Sequence, residues 1–480
     1  MSKTYRPYEP DQAFLLPPSP REWLPEDHLA LFLLDVTRQL DLSGITAYYE
    51  RELRGYPPHN PRMMVTLLLY AYCVGVPSSR RIERRTHEDI AFRVICANSH
   101  PDHKCISEFR RIHLSSLASL FVQVLKLCQR AGLVKLGHVA LDGTKVEANA
   151  SKHKAMSYER MKKEEAELEK KVAELLKAAE STDASEDVQY GKDRRGDELP
   201  DDLQRAKDRL ERIRQLRAEL EAEAQQQAEA ERASATEAAQ VQMALAEMAS
   251  IEEARKGRER DGDRGDDDPP PAPPPSMPSH KIPTDKTGTP TNKAQRNFTD
   301  GDSRIMKTGN GFVQGYNAQI GVDEMRQIVV AQGVSNQPPD CEHLIPMLDQ
   351  IVANCGRAPD RISADNGYLS EANVARASSR GVEAYIAPGR LKHGKQADCS
   401  TKEPDGSVKA TMRAKLATDE GRAIYSRRKV IVEPVFGQTK NRGFRRFLLR
   451  GIDKVRGEWA LITTSHNLLK LHGACAGAWA

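Results

Sequence analysis

Apolar residues recur along this chain in two rhythms, and the points where one yields to the other divide it. From His28 to Leu40, the residues Leu29, Leu31, Phe32, Leu34, Val36 and Leu40 fall at helical spacing, which predicts an amphipathic helix. Pro61 opens MMVTLLLYAYCVG, and Gly75 with Pro77 closes it. A proline at the first helical position and a glycine past the last frame a helix, here apolar enough to be buried. SSRRIERRTHEDIAFRVI and ISEFRRIHLSSLASLFVQVLKLCQRAG keep the helical period, so residues 1–135 are expected to form an all-α domain. At LGHVALDGTKVEANAS the rhythm changes: Val139 and Leu141 read as a strand that ends in a carboxylate, Asp142.

Beyond that strand the pattern turns heptad-like. Met161, Leu168, Val172, Leu175 and Ala179 form one 3-4 series, and Leu203, Ala206, Leu210, Ile213 and Leu220 a second, on either side of the polar GKDRRGDELP. This predicts an antiparallel, coiled-coil-like helical hairpin inserted over 157–256. DGDRGDDDPPPAPPPSMPSHKIP cannot build a core, so 257–292 reads as a linker. Residues 136–156 and 293–480 are then two parts of one interrupted domain. In the second part, FVQGYNAQIGVD and QIVVAQGVS predict a β-hairpin. CEHLIPMLDQIVANCG predicts a helix, RISADNGY a strand ending at Asp365, SEANVARASSRG a helix and VEAYIAP a strand. Gly389 to Lys409 reads as a basic loop, and about Asp419 to Lys470 as helix in two pieces.

Composition agrees with this division. Against about 150 residues per domain, 480 residues suggest about three units, and an apolar share of only 39% with 5% aromatics fits two globular parts diluted by an insert. No run of 18 apolar residues exists and MSKTYRPYEPDQAF lacks the layout of a signal peptide, which predicts neither a membrane span nor export. The eight cysteines are scattered without a C-x-x-C pair, arguing against thiolate zinc or disulfides and for a cytoplasmic protein. The net charge of +4 hides a local asymmetry. Residues 421–460 carry 11 basic and 3 acidic residues, whereas the first fifty carry 4 basic and 8 acidic. A +8 stretch is the footprint of phosphate-backbone binding, with Arg442, Arg445 and Arg446 as candidate contacts. Arg80, Arg81, Arg84, Arg85, Arg110 and Arg111 are further candidates in the helical domain, although a solvated helix face would look the same.

Strand, hairpin, helix, strand, helix, strand and then helices is the element order of an α/β RNase-H-like domain. Its site would use acids at the ends of two core strands and one on a late helix: Asp142, Asp365 and Glu433. Phosphodiester chemistry on two hard cations roughly 3.5–4 Å apart requires such carboxylates. Glu433, Gly437 and Lys440 lie three and four positions apart, so a metal-ligating acid would share a helix face with a cation. Asp300 and Asp302 compete for the metal role, but their place before the hairpin strands and after the linker favours a loop or capping function. His466 and Asn467 are expected to be buried and hydrogen-bonded, and Phe444 and Phe447 to fill the core.

ALDGTKVEANASKHKAMSYERM, TDGDSRIMKTGNGFVQGYNAQIGVD, SADNGY and YSRRKVIVEPVFGQTK followed by HNLLKL resemble bacterial insertion-sequence DDE transposases. SSRRIERRTHEDIAFR and HPDHKCISEFRR resemble their N-terminal domain. The resemblance implies that Asp142 and Asp365 are the two aspartates and Glu433 the glutamate of a triad holding Mg²⁺, with Mn²⁺ as the alternative. It also implies that Tyr425, Arg428, Glu433 and Lys440 form the late signature. Four residues separate Arg428 from Glu433 where relatives commonly have three, a spacing that Lys429 would satisfy, so either fills the basic position. The implied partners are terminal inverted repeats, target DNA and at least one further copy of the chain, in a cytoplasmic, nucleoid-associated setting. A hydrolytic nuclease that never joins strands and a non-catalytic DNA-binding assembly protein are the alternatives.

Overall fold

The computed structural model describes residues 20–51, 57–190, 201–255, 277–309, 311–389 and 406–476. The turn expected at GKDRRGDELP and most of the basic loop expected after Gly389 lie outside them.

Among the described residues the first α-helices are α1 (Leu29–Gln39), α2 (Ser43–Tyr49), α3 (Pro61–Cys73), α4 (Ser79–Glu88), α5 (Ile90–Ile95), α6 (His103–Ile112) and α7 (Leu114–Arg130). Their ends follow from capping chemistry. Asn60 accepts from the N–H groups of Arg62 and Met63 ahead of Pro61, and Asp102 accepts from Cys105, satisfying donors that a helix start leaves open. The continuous helical run expected from Ser78 to Ile95 breaks at Asp89. Its extended backbone closes α4 while its carboxylate caps α5 through Ala91 and Phe92. A similar break at His113 bends α6 from α7 by 73°. No single helix among the described residues is long and apolar enough to cross a membrane. α3 is buried from Met64 to Cys73 without interruption, so truncating Leu67 or Leu68 to alanine would cost about 2–5 kcal/mol.

The sheet begins with β1 (His138–Glu147), which leads into β2 (Ala155–Ser157), and then α8 (Tyr158–Tyr190) and α9 (Asp201–Arg255). The chain returns through β3 (Gln295–Asn297), β4 (Arg304–Thr308), β5 (Gly311–Asp323) and β6 (Val329–Ser335). α10 (Leu344–Cys355), β7 (Arg361–Ala364), α11 (Glu371–Ser378) and β8 (Glu383–Ile386) follow, then α12 (Val408–Ala417), α13 (Asp419–Asn441) and α14 (Ile452–Ala476). Strand order is β4-β5-β1-β7-β8, with β6 also paired to β5. β1 is antiparallel to β5 and parallel to β7, and β7 is parallel to β8.

Three features differ from the sequence expectation. The helical domain is not a separate bead, because α14 packs against α3 and α7 on one side and β6 on the other, making one continuous core. The expected linker narrows: among the described residues from 277 onward, Ile282 is buried beside Leu220, Ala224 and Tyr158. Its N–H is bonded to Gln227. β4, β2, β3 and α12 went unpredicted, being short or polar. The two long helices pack antiparallel at their root, where Glu165 reaches Arg214 and Arg217 and Glu164 reaches Arg209. β2 pairs with β3, and Arg296 on β3 pairs with Glu219 and Glu223 of α9, which fastens the insert to the sheet domain.

Three motif residues have structural roles. Pro434 interrupts α13, and its missing N–H leaves the Val430 carbonyl without its helical donor. The Gln327 amide donates to that oxygen at 2.9 Å. Asn467, fully buried, bonds the Val329 N–H and C=O as a strand would, and His466 bonds the Gln327 carbonyl. Burial pushes the His466 imidazole down to about 3, so it stays neutral.

Candidate active site

The register of β1 and β7 builds the centre of the site. Ala140 lies opposite Ser363, the last pair of the parallel β1–β7 ladder, so Asp142 and Asp365 each follow two residues on. Asp365 directly follows the end of β7, whereas β1 does not end at Asp142 as expected but runs on to Glu147, held by β5. Neighbouring strands are about 4.8 Å apart, and the outlet of parallel strands is where open α/β sheets bind ligands. Asp142 accepts from the Gly143 N–H at 2.8 Å and Asp365 from the Gly367 N–H at 2.9 Å. Gly143 is required here because a Cβ would collide with the Gln319 amide.

α13 crosses the same outlet. Arg428 donates from Nη1 to Asp142 Oδ2 at 3.0 Å, with 10% of its side chain exposed. Lys440 Nζ lies 2.9 Å from Thr144 Oγ1. Lys429, one residue on, is exposed, so the basic residue that faces the aspartates is Arg428. Tyr425 lies half-buried under the Arg428 guanidinium, 5.9 Å from it. Glu433 lies between the two contact points of α13, exposed and without a hydrogen bond or ion pair among the described residues.

Electrostatics set the protonation of the pair. Burial pushes the Asp142 carboxyl up to about 6, with Arg428 pulling it down and Asp365 pushing it further up. Burial also raises Asp365, against the Gly367 N–H and with Asp340 adding repulsion. A buried carboxylate pair of this kind favours either a proton or a cation. Among the described residues no three acid, imidazole or thiol groups are drawn together tightly enough to cage a metal. The donor set nevertheless fits a hard divalent cation. Mg²⁺ needs only one or two carboxylates and keeps its other positions for water and phosphate, and Arg428 already supplies positive charge at Asp142.

A polar floor lies beneath the pair that the sequence reading missed. Asp340 accepts from Lys145 at 3.1 Å, from Asn317 at 2.7 Å and from Gln319 at 2.8 Å. The Tyr368 hydroxyl, buried in the DNGY motif, donates to Gln319 Oε1. Asn317 and Gln319 are fully buried on the central strand β5. Three amides, Gln314, Asn317 and Gln319, within a strand buried along most of its length were the available signal.

Other candidates fall elsewhere. Asp300 accepts from the Tyr316 hydroxyl and the Gly451 N–H, and Asp302 from the Ile452 N–H. They cap the start of α14, as their position in the sequence suggested. Arg110 is turned inward, 6% exposed, donating to the Pro77 carbonyl. It is not free for DNA phosphate, contrary to the reading of its cluster. Arg442 is likewise drawn in, donating to Ser465 and the Gln438 carbonyl. Arg80, Arg81, Arg84 and Arg85 of α4 are exposed, with Arg85 paired to Asp89. Arg111 is paired to Glu108, Arg446 to Glu147, and Arg445 is exposed. Phe444 and Phe447 are core residues.

A family model described as Transposase DDE domain matches residues 279–468, and one described as Transposase domain (DUF772) matches residues 18–111. Neither a curated protein nor a solved structure matches the chain. The first match begins after the insertion and omits Asp142, but β1 returns that residue to the matched sheet by pairing with both β5 and β7. The two matches span more than half of the chain in the order typical of insertion-sequence transposases; with its RNase-H-like sheet, this chain belongs to the insertion-sequence DDE transposases.

Proposed function

We propose that this chain cuts DNA at the terminal inverted repeats of its element and transfers the freed 3′-hydroxyl to target DNA, at a site formed by Asp142, Asp365 and Glu433. The observation that carries this reading is the placement of Asp142 and Asp365, each two residues beyond the last pair, Ala140 and Ser363, of adjacent parallel strands. The family normally uses divalent metal ions. Mg²⁺, held by the three carboxylates, would supply activation of the attacking oxygen and stabilisation of the leaving one.

The chain's own residues position and neutralise. Asp142 and Asp365 are ready to accept a cation because burial makes their shared negative charge costly. Arg428 sits where a phosphate oxygen on Asp142's side would need a positive partner, and its planar fork suits that geometry. Lys440, anchored to Thr144, is a second phosphate contact, two helical turns from Glu433 on the same face of α13. The exposed arginines of α4 are proposed to read the inverted repeat, and joining two ends calls for at least two copies of the chain.

Purified protein with Mg²⁺ and a pre-cut end bearing a free 3′-hydroxyl tests this directly. Covalent transfer of that end to a second duplex is the expected result. Cleavage of uncut ends without any transfer would instead identify a hydrolytic nuclease, and end binding with neither reaction a non-catalytic assembly protein.

A further inference from the structure

At the seam between the N-terminal helices and the sheet lies a cleft of about 370 Å³. Arg110 and Arg111 of α6 form one wall and Asn149, Leu448, Arg450 and Lys454 the other. Four of the lining residues are cationic and none is acidic. The acids nearby are already engaged. Glu108 pairs with Arg111, Glu147 with Arg446 and Asp453 with Arg456. Glu458 is consumed by the N–H groups of Leu448 and Leu449. Arg450 is exposed and spends only its Nε, on the Asn149 carbonyl. Lys454 is exposed and has no hydrogen bond or ion pair among the described residues. Two uncommitted cations over a cleft without a counter-charge are the electrostatic signature of an anion site.

The position of the cleft says which anion. Asn149 lies just beyond the end of β1, seven residues from Asp142, which at about 3.3 Å per residue is at most about 23 Å. That distance spans about seven base pairs of duplex at about 3.4 Å each. α6, which forms the other wall, is bonded to α4 through His103 and Glu83. A duplex read by α4 and cut at Asp142 has to pass between the two, along this seam.

We infer that the Arg450–Lys454 cleft holds the phosphate backbone of the element's own end duplex, between the segment read by the N-terminal helices and the scissile phosphate. The inference rests on the transposase reading for the identity of the duplex, and on the cleft itself for its chemistry. It is a sequence-independent contact: backbone phosphates position the duplex and carry no base information.

The test uses full-length protein carrying Asp142→Asn, so that DNA stays uncut, and a labelled duplex containing the element's terminal repeat and flank. Binding is followed by anisotropy across a salt titration. Each phosphate contact contributes about 0.9 to the slope of log affinity on log salt, so Arg450→Ala/Lys454→Ala is expected to lower that slope by about 2. The charge-preserving Arg450→Lys/Lys454→Arg should keep it, as should Lys126→Ala on the exposed part of α7. Ethylation of phosphates about seven base pairs from the scissile position should interfere with binding by the parent protein and not by the double-alanine variant. An unchanged slope, or a loss confined to unrelated target duplex, overturns the inference. If the wild-type chain never cuts DNA but the slope and interference behave as stated, the cleavage reading falls and the cleft stands.

Discussion

Asp142→Asn removes a charge that the fold holds at a cost, and the cost can be measured apart from catalysis. Burial raises the Asp142 carboxyl from an ordinary 3.8 to about 6, so the folded chain keeps this proton to higher pH than the unfolded chain does. The stability contributed by the group is therefore complete below pH 3.8 and lost as pH rises through 6. At 1.36 kcal/mol per pH unit the loss approaches about 3 kcal/mol at neutral pH. Only 18% of the side chain is exposed, so solvent screening reduces it little. Asparagine removes the charge and keeps one oxygen, enough for only one of the two donors that Asp142 receives on separate oxygens, Arg428 and the Gly143 N–H, so the gain is an upper bound. In urea denaturation with chelator present at pH 7.5, Asp142→Asn is expected to match or exceed the wild type by up to about 3 kcal/mol. The gap should close towards pH 4, and a weaker pH dependence from Asp365 should persist in the variant. Adding Mg²⁺ at pH 7.5 should stabilise the wild type more than the variant, since ligand binding to the native state alone raises stability. A variant less stable than wild type at pH 7.5, or a gap that ignores pH, would refute the argument that Asp142 is a desolvated carboxylate awaiting a cation.

Three further variants separate the roles of neighbouring residues. Arg428→Gln breaks an ion pair that is mostly buried and should cost about 3 kcal/mol at pH 8 by urea denaturation. With its cation gone Asp142 holds its proton more tightly, so the acid limb of the cleavage profile should move to higher pH. Asp300→Ala strands the Tyr316 hydroxyl and the Gly451 N–H and should cost about 2–4 kcal/mol. Stabilisation by Mg²⁺ should survive, which a true metal ligand at position 300 would not allow. Arg110→Ala should lower the melting temperature through lost bonding to the Pro77 carbonyl, while the salt dependence of DNA binding stays as in the wild type.

The two aspartates were legible because a carboxylate closing an apolar run is a local pattern, although only Asp365 stands at a strand end and β1 continues past Asp142 to Glu147. LDGT and ADNGY carry it, and the register of β1 and β7 then brings Asp142 and Asp365 together. Side-chain direction was not legible. Arg110 and Arg111 are adjacent in sequence, yet α6 turns the first into the core and leaves the second exposed. Arg428 and Lys429 are likewise adjacent, and only the rotation of α13 against β1 decides which meets Asp142. The Asn317, Gln319 and Asp340 floor depends on pairing between segments far apart in the chain, so GYNAQIG alone reads as an ordinary hairpin strand. The merging of the helical domain with the sheet arises from α14, which is apolar on two sides because it separates two layers. Its sequence gives a helix but not its two neighbours.

The central claim is that Asp142, Asp365 and Glu433 act together on a DNA phosphodiester. Single-turnover cleavage of a terminal-repeat duplex with Mg²⁺ should be abolished in Asp142→Asn, in Asp365→Asn and in Glu433→Gln, with binding to the uncut end within a few-fold of wild type in each. Wild-type cleavage by any one of the three would remove that residue from the site, and wild-type cleavage by Asp142→Asn would contradict the account as a whole.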